Sequence, residues 1–198
     1  MRIGIDIDGV CYKWINTALY MMREILPNSP YKNDPAFAGP EVHTSWMHIP
    51  DRVEKKHWKW LWDEGVEKGL FRHGDMYPGT VKALNKLSEF GRLVAVTQRP
   101  HRAAKDTFDW IGYHGLPFEE IHILQGESKT TTGKYDAFID DKPDNCRELI
   151  KAGTPVVCLP DRPWNQQFGD QYELGVTRTF SWDQFINIVR DYENLSRS

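Results

Sequence analysis

Cysteine is scarce, with three in 198 residues at Cys11, Cys146 and Cys158. They are odd in number and scattered. Neither a disulfide framework nor a thiolate metal site is therefore expected, and the reducing cytoplasm is the expected location. Long apolar runs are missing too. Mean hydropathy is -0.59, and no stretch approaches the roughly 20 apolar residues a bilayer demands, so no membrane partner is expected. Asp6 and Asp8 stand where a secretory leader would need its apolar stretch, and no leader is expected. An excess of positive charge is also lacking. Lys and Arg total 25 against 28 Asp and Glu, for a net charge of -3. A nucleic-acid polymer, which needs a basic face, is not expected as a partner. A small anionic substrate is not excluded, because one local cluster of donors can hold it. What is abundant is tryptophan: eight residues, with Trp46, Trp58, Trp60 and Trp62 close together.

The length suits one domain with a small insert. Residues 2–6 form a short apolar run ending in acid, which predicts a buried strand. Residues 13–26 carry helical spacing and stop at Pro27. Residues 27–50 have no period and predict loop. Residues 51–71 predict a helix interrupted near Gly65. From 80 onward the pattern alternates: helix 80–90, strand 92–96, helix 101–113, strands 121–124 and 136–139, helix 143–152, strand 155–159 and a last helix 182–192. Such alternation predicts an α/β fold with a parallel sheet. The expected division is a core of residues 1–11 and 78–198, with 12–77 a helical insert after the first strand.

Polar groups gather at the predicted strand ends. Asp6 and Asp8 follow the first strand, Thr97 follows the second, and Asp140 and Asp141 follow Ala137-Phe138-Ile139. Lys129 precedes that last strand by a loop. In an open parallel sheet, ligands sit outside the carboxyl ends of the strands, so these residues are expected to converge. Converging carboxylates repel unless a cation lies among them, and oxygen-only ligands suit Mg²⁺. Thr97 and Lys129 are phosphate-holding groups. Together they suggest phosphoryl transfer with a carboxylate nucleophile.

Asp6-Ile7-Asp8-Gly9-Val10, then Thr97, Lys129 and Ile139-Asp140-Asp141, in that order, resemble the four motifs of the haloacid dehalogenase (HAD) superfamily of phosphohydrolases. The Thr97-Gln98-Arg99-Pro100 segment, the following helix with Thr107 and Trp110, and a lysine loop leading into Ile-Asp-Asp are similar to the 5′(3′)-deoxyribonucleotidases and their bacterial and phage relatives. The resemblance implies a Rossmann-like core with a small helical cap after the first strand. It implies a Mg²⁺-dependent phosphomonoesterase acting on a nucleoside monophosphate, with Asp6 as nucleophile and Asp8 as general acid and base. Thr97, Gln98 and Lys129 would bind phosphate. Asp6, the Asp8 carbonyl and Asp141 would bind the metal, with Asp140 behind them orienting water or Lys129. Lys134 rivals Lys129 as the motif lysine, and the Lys-Thr-Thr context favours Lys129. Arg99 could contact phosphate or close a salt bridge. Tyr12 and Trp46 are candidates for an aromatic base wall, while Trp58 and Trp62, one turn apart, are expected mainly to pack the insert. Other readings are a phosphatase for a sugar phosphate or nucleic-acid 3′ end, or a HAD-fold binding protein without turnover. The insert's exposed surfaces could support a homodimer.

Overall fold

The computed structural model describes residues 1–37, 53–166 and 175–197. The expected base-wall residue Trp46 lies outside the described residues, as does the start of the helix predicted from 51. In chain order the elements are β1 (Arg2–Ile5), α1 (Trp14–Tyr20), α2 (Lys55–Trp60), α3 (Thr80–Ser88), β2 (Arg92–Gln98), α4 (Ala104–Tyr113), β3 (Glu120–Leu124), β4 (Ala137–Ile139), α5 (Pro143–Lys151), β5 (Val156–Pro160), β6 (Val176–Thr179) and α6 (Trp182–Ser196).

The six strands form one parallel sheet in the order β3-β2-β1-β4-β5-β6. Its central strands are almost unbroken runs of buried residues, Leu93 to Val96 in β2 and Val157 to Leu159 in β5. That is the mark of strands covered on both faces. One face packs Ile3, Ile5, Leu93 and Ala95 against Leu84, Leu87, Trp110 and Phe185 of the helices. The other packs Val94, Val96, Phe138 and Val157 against Cys146 and Leu149 of α5. The strand order reverses at β1, whose neighbours β2 and β4 lead away in opposite directions, and a crevice opens there at the carboxyl ends.

β6 had no counterpart in the sequence reading. Val-Thr-Arg-Thr is short and only partly buried, as an edge strand can be, and gives no apolar run to detect. The helices after β1 follow the expected bounds more closely. α1 continues as a wider π-helical turn over Met21–Ile25 and ends at Leu26, before Pro27. α2 likewise continues as a π-helical turn over Leu61–Gly65. These helices share their own buried cluster, including Ile15, Leu19, Met22, Leu61 and Phe71, which Ala103 and Trp164 join to the sheet domain. The three cysteines are buried and free. Among the described residues no helix is long and apolar enough to cross a membrane.

Candidate active site

The β1 ladder runs one residue past the strand, because Asp6 N–H donates to the Ile139 carbonyl at 3.0 Å. That bond sets the Asp6 side chain beside the residues that follow β4. The chain then turns tightly: the N–H groups of Cys11 and Tyr12 both donate to the Ile7 carbonyl. Gly9 makes the turn at φ +79°, and a Cβ there would lie 2.0 Å from Oδ2 of Asp141. Only glycine meets both the left-handed backbone and the close approach.

Lys129 stands at the centre. Its Nζ lies 2.7 Å from Oδ1 of Asp6 and 2.7 Å from Oδ2 of Asp140, and all three side chains are buried. Ser128 caps the short 3-10 turn that carries it. Burial alone would lower the Lys129 pKa, but the two carboxylates overcome this and raise it. Lys134, the rival, is exposed on the surface. Asp140 has further partners in the Lys142 N–H and the Asn145 amide, which reaches both of its oxygens. It is the most enclosed acid of the group, and its contacts orient Lys129 and the start of α5.

Asp6, Asp140 and Asp141 each bring one carboxylate oxygen within 4.8 Å of the others. Burial pushes Asp6 well above the usual carboxylate range, against the pull of Lys129. Burial, then the charge of Asp140, pushes Asp141 to about 7. Three acids meet a single lysine there, leaving carboxylate oxygens that one shared cation could satisfy. A hard divalent cation with oxygen ligands fits that donor set.

The other acid, Asp8, faces a different partner. Arg99 donates to both of its oxygens, Nε to Oδ2 at 2.9 Å and Nη2 to Oδ1 at 2.7 Å. Thr97 Oγ1 also donates to Oδ2, at 3.2 Å. Arg99 is wholly buried, with its guanidinium against the rings of Tyr12 and Phe71 and a further bond to Thr107. Of the two readings of Arg99, the phosphate contact is corrected in favour of the salt bridge to a nearby acid, since its donors are turned onto Asp8 and Thr107.

Tyr12 needs the same correction. Its hydroxyl donates to the Leu70 carbonyl and accepts from Gly74 N–H, and its ring packs edge-on to Trp110. Burial pushes its pKa to about 12. It is a strut inside the core and not a wall of the site. Gln98 lines the cavity over the acids, with its amide donating to the Glu127 carbonyl.

A cavity of about 180 Å³ opens over Asp6, Asp8, Lys129 and Asp141. Trp14, Trp62, Phe71 and Trp164 line it on the apolar side. Trp14 and Trp62 are stacked, with centroids 5.7 Å apart and planes 23° apart. Trp62 lies on the π-helical turn of residues 61–65, so it lines the cavity as well as packing the insert. Trp14, Phe71 and Trp164 were missed by the sequence reading. Trp14 falls in a helix predicted for packing, and Trp164 lies in an irregular turn far along the chain.

The fold and these acids define a class. A haloacid dehalogenase-like family hydrolase of Streptococcus pneumoniae superposes with a TM-score of 0.65 at 13% identity, covering 94% of this chain and 97% of that one. Bacillus subtilis YfnB, solved bound to magnesium, gives 0.65 at 14% identity over 95% and 97%. These likenesses establish a HAD-type fold. In sequence, a nucleotidase of Clostridium acetobutylicum is 25% identical over 96% of this chain and 93% of its own length. The family model for 5′ nucleotidase, deoxy (pyrimidine), cytosolic type C protein matches residues 1–192. The chain belongs to that family and is a phosphoric monoester hydrolase.

Proposed function

We propose that this enzyme hydrolyses (deoxy)nucleoside monophosphates in a Mg²⁺-dependent reaction through a phosphorylated Asp6. The observation that carries the reading is the meeting of Asp6, Lys129, Asp140 and Asp141 beneath an aromatic-lined cavity. Phosphate would enter on the acid and lysine side, and the base would lie against the tryptophans, whose flat faces suit a nucleobase. The family match supports the same substrate class.

Asp6, the Asp8 carbonyl and Asp141 would hold the cation, which supplies charge neutralisation for the phosphoryl oxygens when bound. Lys129 neutralises the same oxygens from the buried side, and Thr97 offers a hydroxyl next to Asp8. An Asp6 oxygen attacks phosphorus, and the bond from phosphorus to the ester oxygen breaks. Asp8 gives the leaving oxygen its proton. A water then attacks phosphorus, Asp8 takes the proton of that water, and the Asp6 carboxylate is regenerated as phosphate leaves. The helices of residues 12–77 act as a cap, bringing Trp14, Trp62 and Phe71 over the substrate and excluding water.

The test is phosphate release from a panel of nucleoside 5′- and 3′-monophosphates, sugar phosphates and an aryl phosphate, with Mg²⁺ and with a chelator. Turnover should be fastest on nucleotides, cease with the chelator, and be lost in Asp6→Asn. Wild-type rates in Asp6→Asn, or preference for sugar phosphates, would refute the assignment.

A further inference from the structure

The residues just after β5 touch both acid-bearing loops, and the chemical steps above give their polar groups no role. Trp164 is only 4% exposed, and its indole N–H donates to Oδ2 of Asp141 at 2.7 Å. Its neighbour Asn165 donates to the Asp141 carbonyl at 3.0 Å and to the Pro160 carbonyl at 2.9 Å. Arg162 Nε donates to the Gly9 carbonyl at 2.8 Å, with its guanidinium 4.0 Å from the Tyr77 ring centroid. Asn165 Oδ1 accepts from the Arg162 N–H, which closes the turn on itself. The same Oδ2 that Trp164 holds lies 2.0 Å from where a Cβ on Gly9 would fall. One oxygen of Asp141 is thus boxed between the indole N–H and the backbone of the nucleophile loop.

We propose that Trp164 is a positioning residue for the divalent cation. It fixes the rotation of the Asp141 carboxylate, so that Asp141 meets the ion already oriented. This rests on the reading of Asp141 as a cation ligand. The chemistry suits tryptophan. Its indole is a donor only, so it steadies a carboxylate without competing for the metal. Its ring is rigid and is held by the buried cluster of the insert helices. Hydrogen-bonding partners behind a ligand typically account for about 10–100-fold in metal affinity.

The experiment is calorimetric titration of Mg²⁺ into the substrate-free protein, comparing wild type, Trp164→Phe and Trp182→Phe. Phenylalanine keeps most of the ring and removes the donor, and Trp182 lies away from the acids on α6. Trp164→Phe should bind Mg²⁺ roughly tenfold more weakly, and Trp182→Phe should match wild type. In wild type, which needs no variant to fold, the indole N–H resonance of Trp164 should shift saturably during the same titration. Equal Mg²⁺ affinity in Trp164→Phe and wild type, or a Trp164 resonance that stays fixed while Mg²⁺ binds, overturns the proposal. A wild type that binds no Mg²⁺ overturns the cation reading beneath it and the proposal with it.

Discussion

Arg99 grips both carboxylate oxygens of Asp8 through two N–H groups, at 2.9 and 2.7 Å, from a fully buried position. Thr97 Oγ1 adds a third bond, to the same oxygen as Arg99 Nε, so the rotation of the carboxylate is fixed while Oδ1 accepts from Arg99 alone among the described residues. The pair thus orients Asp8 and restrains it at once.

Removing Arg99 leaves an unpaired carboxylate in a largely enclosed site. Breaking one side of a buried pair costs about 3–5 kcal/mol, and the partial exposure of Asp8 favours the lower end. Arg99→Met should therefore lose about 3 kcal/mol in denaturant unfolding. Arg99→Lys should recover only part, since an ammonium cannot reproduce the two-pronged contact. A wild-type unfolding midpoint in Arg99→Met would refute the assigned role.

Lys129 and Lys134 can be told apart directly. Lys129→Ala would leave Asp6 and Asp140 facing each other without their shared cation. It should cost roughly 3–5 kcal/mol and lower kcat by about 10²–10³-fold. Lys134→Ala, at an exposed position, should stay within about 0.5 kcal/mol of wild type and keep its turnover. Equal losses in both variants would count against Lys129 as the phosphate-side lysine.

Trp62→Ala should raise KM for a nucleoside monophosphate roughly tenfold, since stacking on a base is worth about 1–3 kcal/mol. A small phosphomonoester without a base should lose little. If both substrates weaken equally, Trp62 serves packing alone.

Glu120 gives the sheet a dependence on acid. It meets Arg2 of β1, Arg92 of β2 and His122 at 2.8, 3.1 and 3.2 Å. Its hydrogen bond from Arg2, then that from His122, lowers its pKa from 4.5 to about 2. A depressed carboxylate stabilises the fold above its unfolded value, and that contribution fades as pH falls from 4.5 towards 2. Glu120→Gln should flatten the fall of Tm across that window. The difference should be small and should shrink with salt, because the pairs are partly exposed. An unchanged slope would show that these contacts contribute nothing.

Much of the site's acid and threonine set is legible in the sequence, for a physical reason. Asp6, Thr97 and Asp140 each end or follow a short apolar run, and parallel strands bring such ends to one crevice. The partners of those residues were harder to read. Arg99 and Tyr12 lie near the motifs in sequence, yet the tight turn after β1 and the packing of α4 bury both of them behind Asp8. Trp164 is 23 residues from Asp141, in a turn with no period. The π-helical turns that carry Trp62 past ordinary helical spacing leave no mark in the residue pattern. β6 is too short and too polar to announce itself.

Hydrolysis by the proposed route requires Asp6 to be the group that attacks phosphorus. The most direct measurement is to quench the enzyme during turnover, reduce it with borohydride and map the product by mass spectrometry. A phosphorylated aspartate is converted to homoserine by this treatment. Homoserine at position 6, formed only when substrate is present and absent in Asp6→Asn, is the predicted result. Substrate-dependent reduction at another aspartate, or none while phosphate is still released, would contradict it.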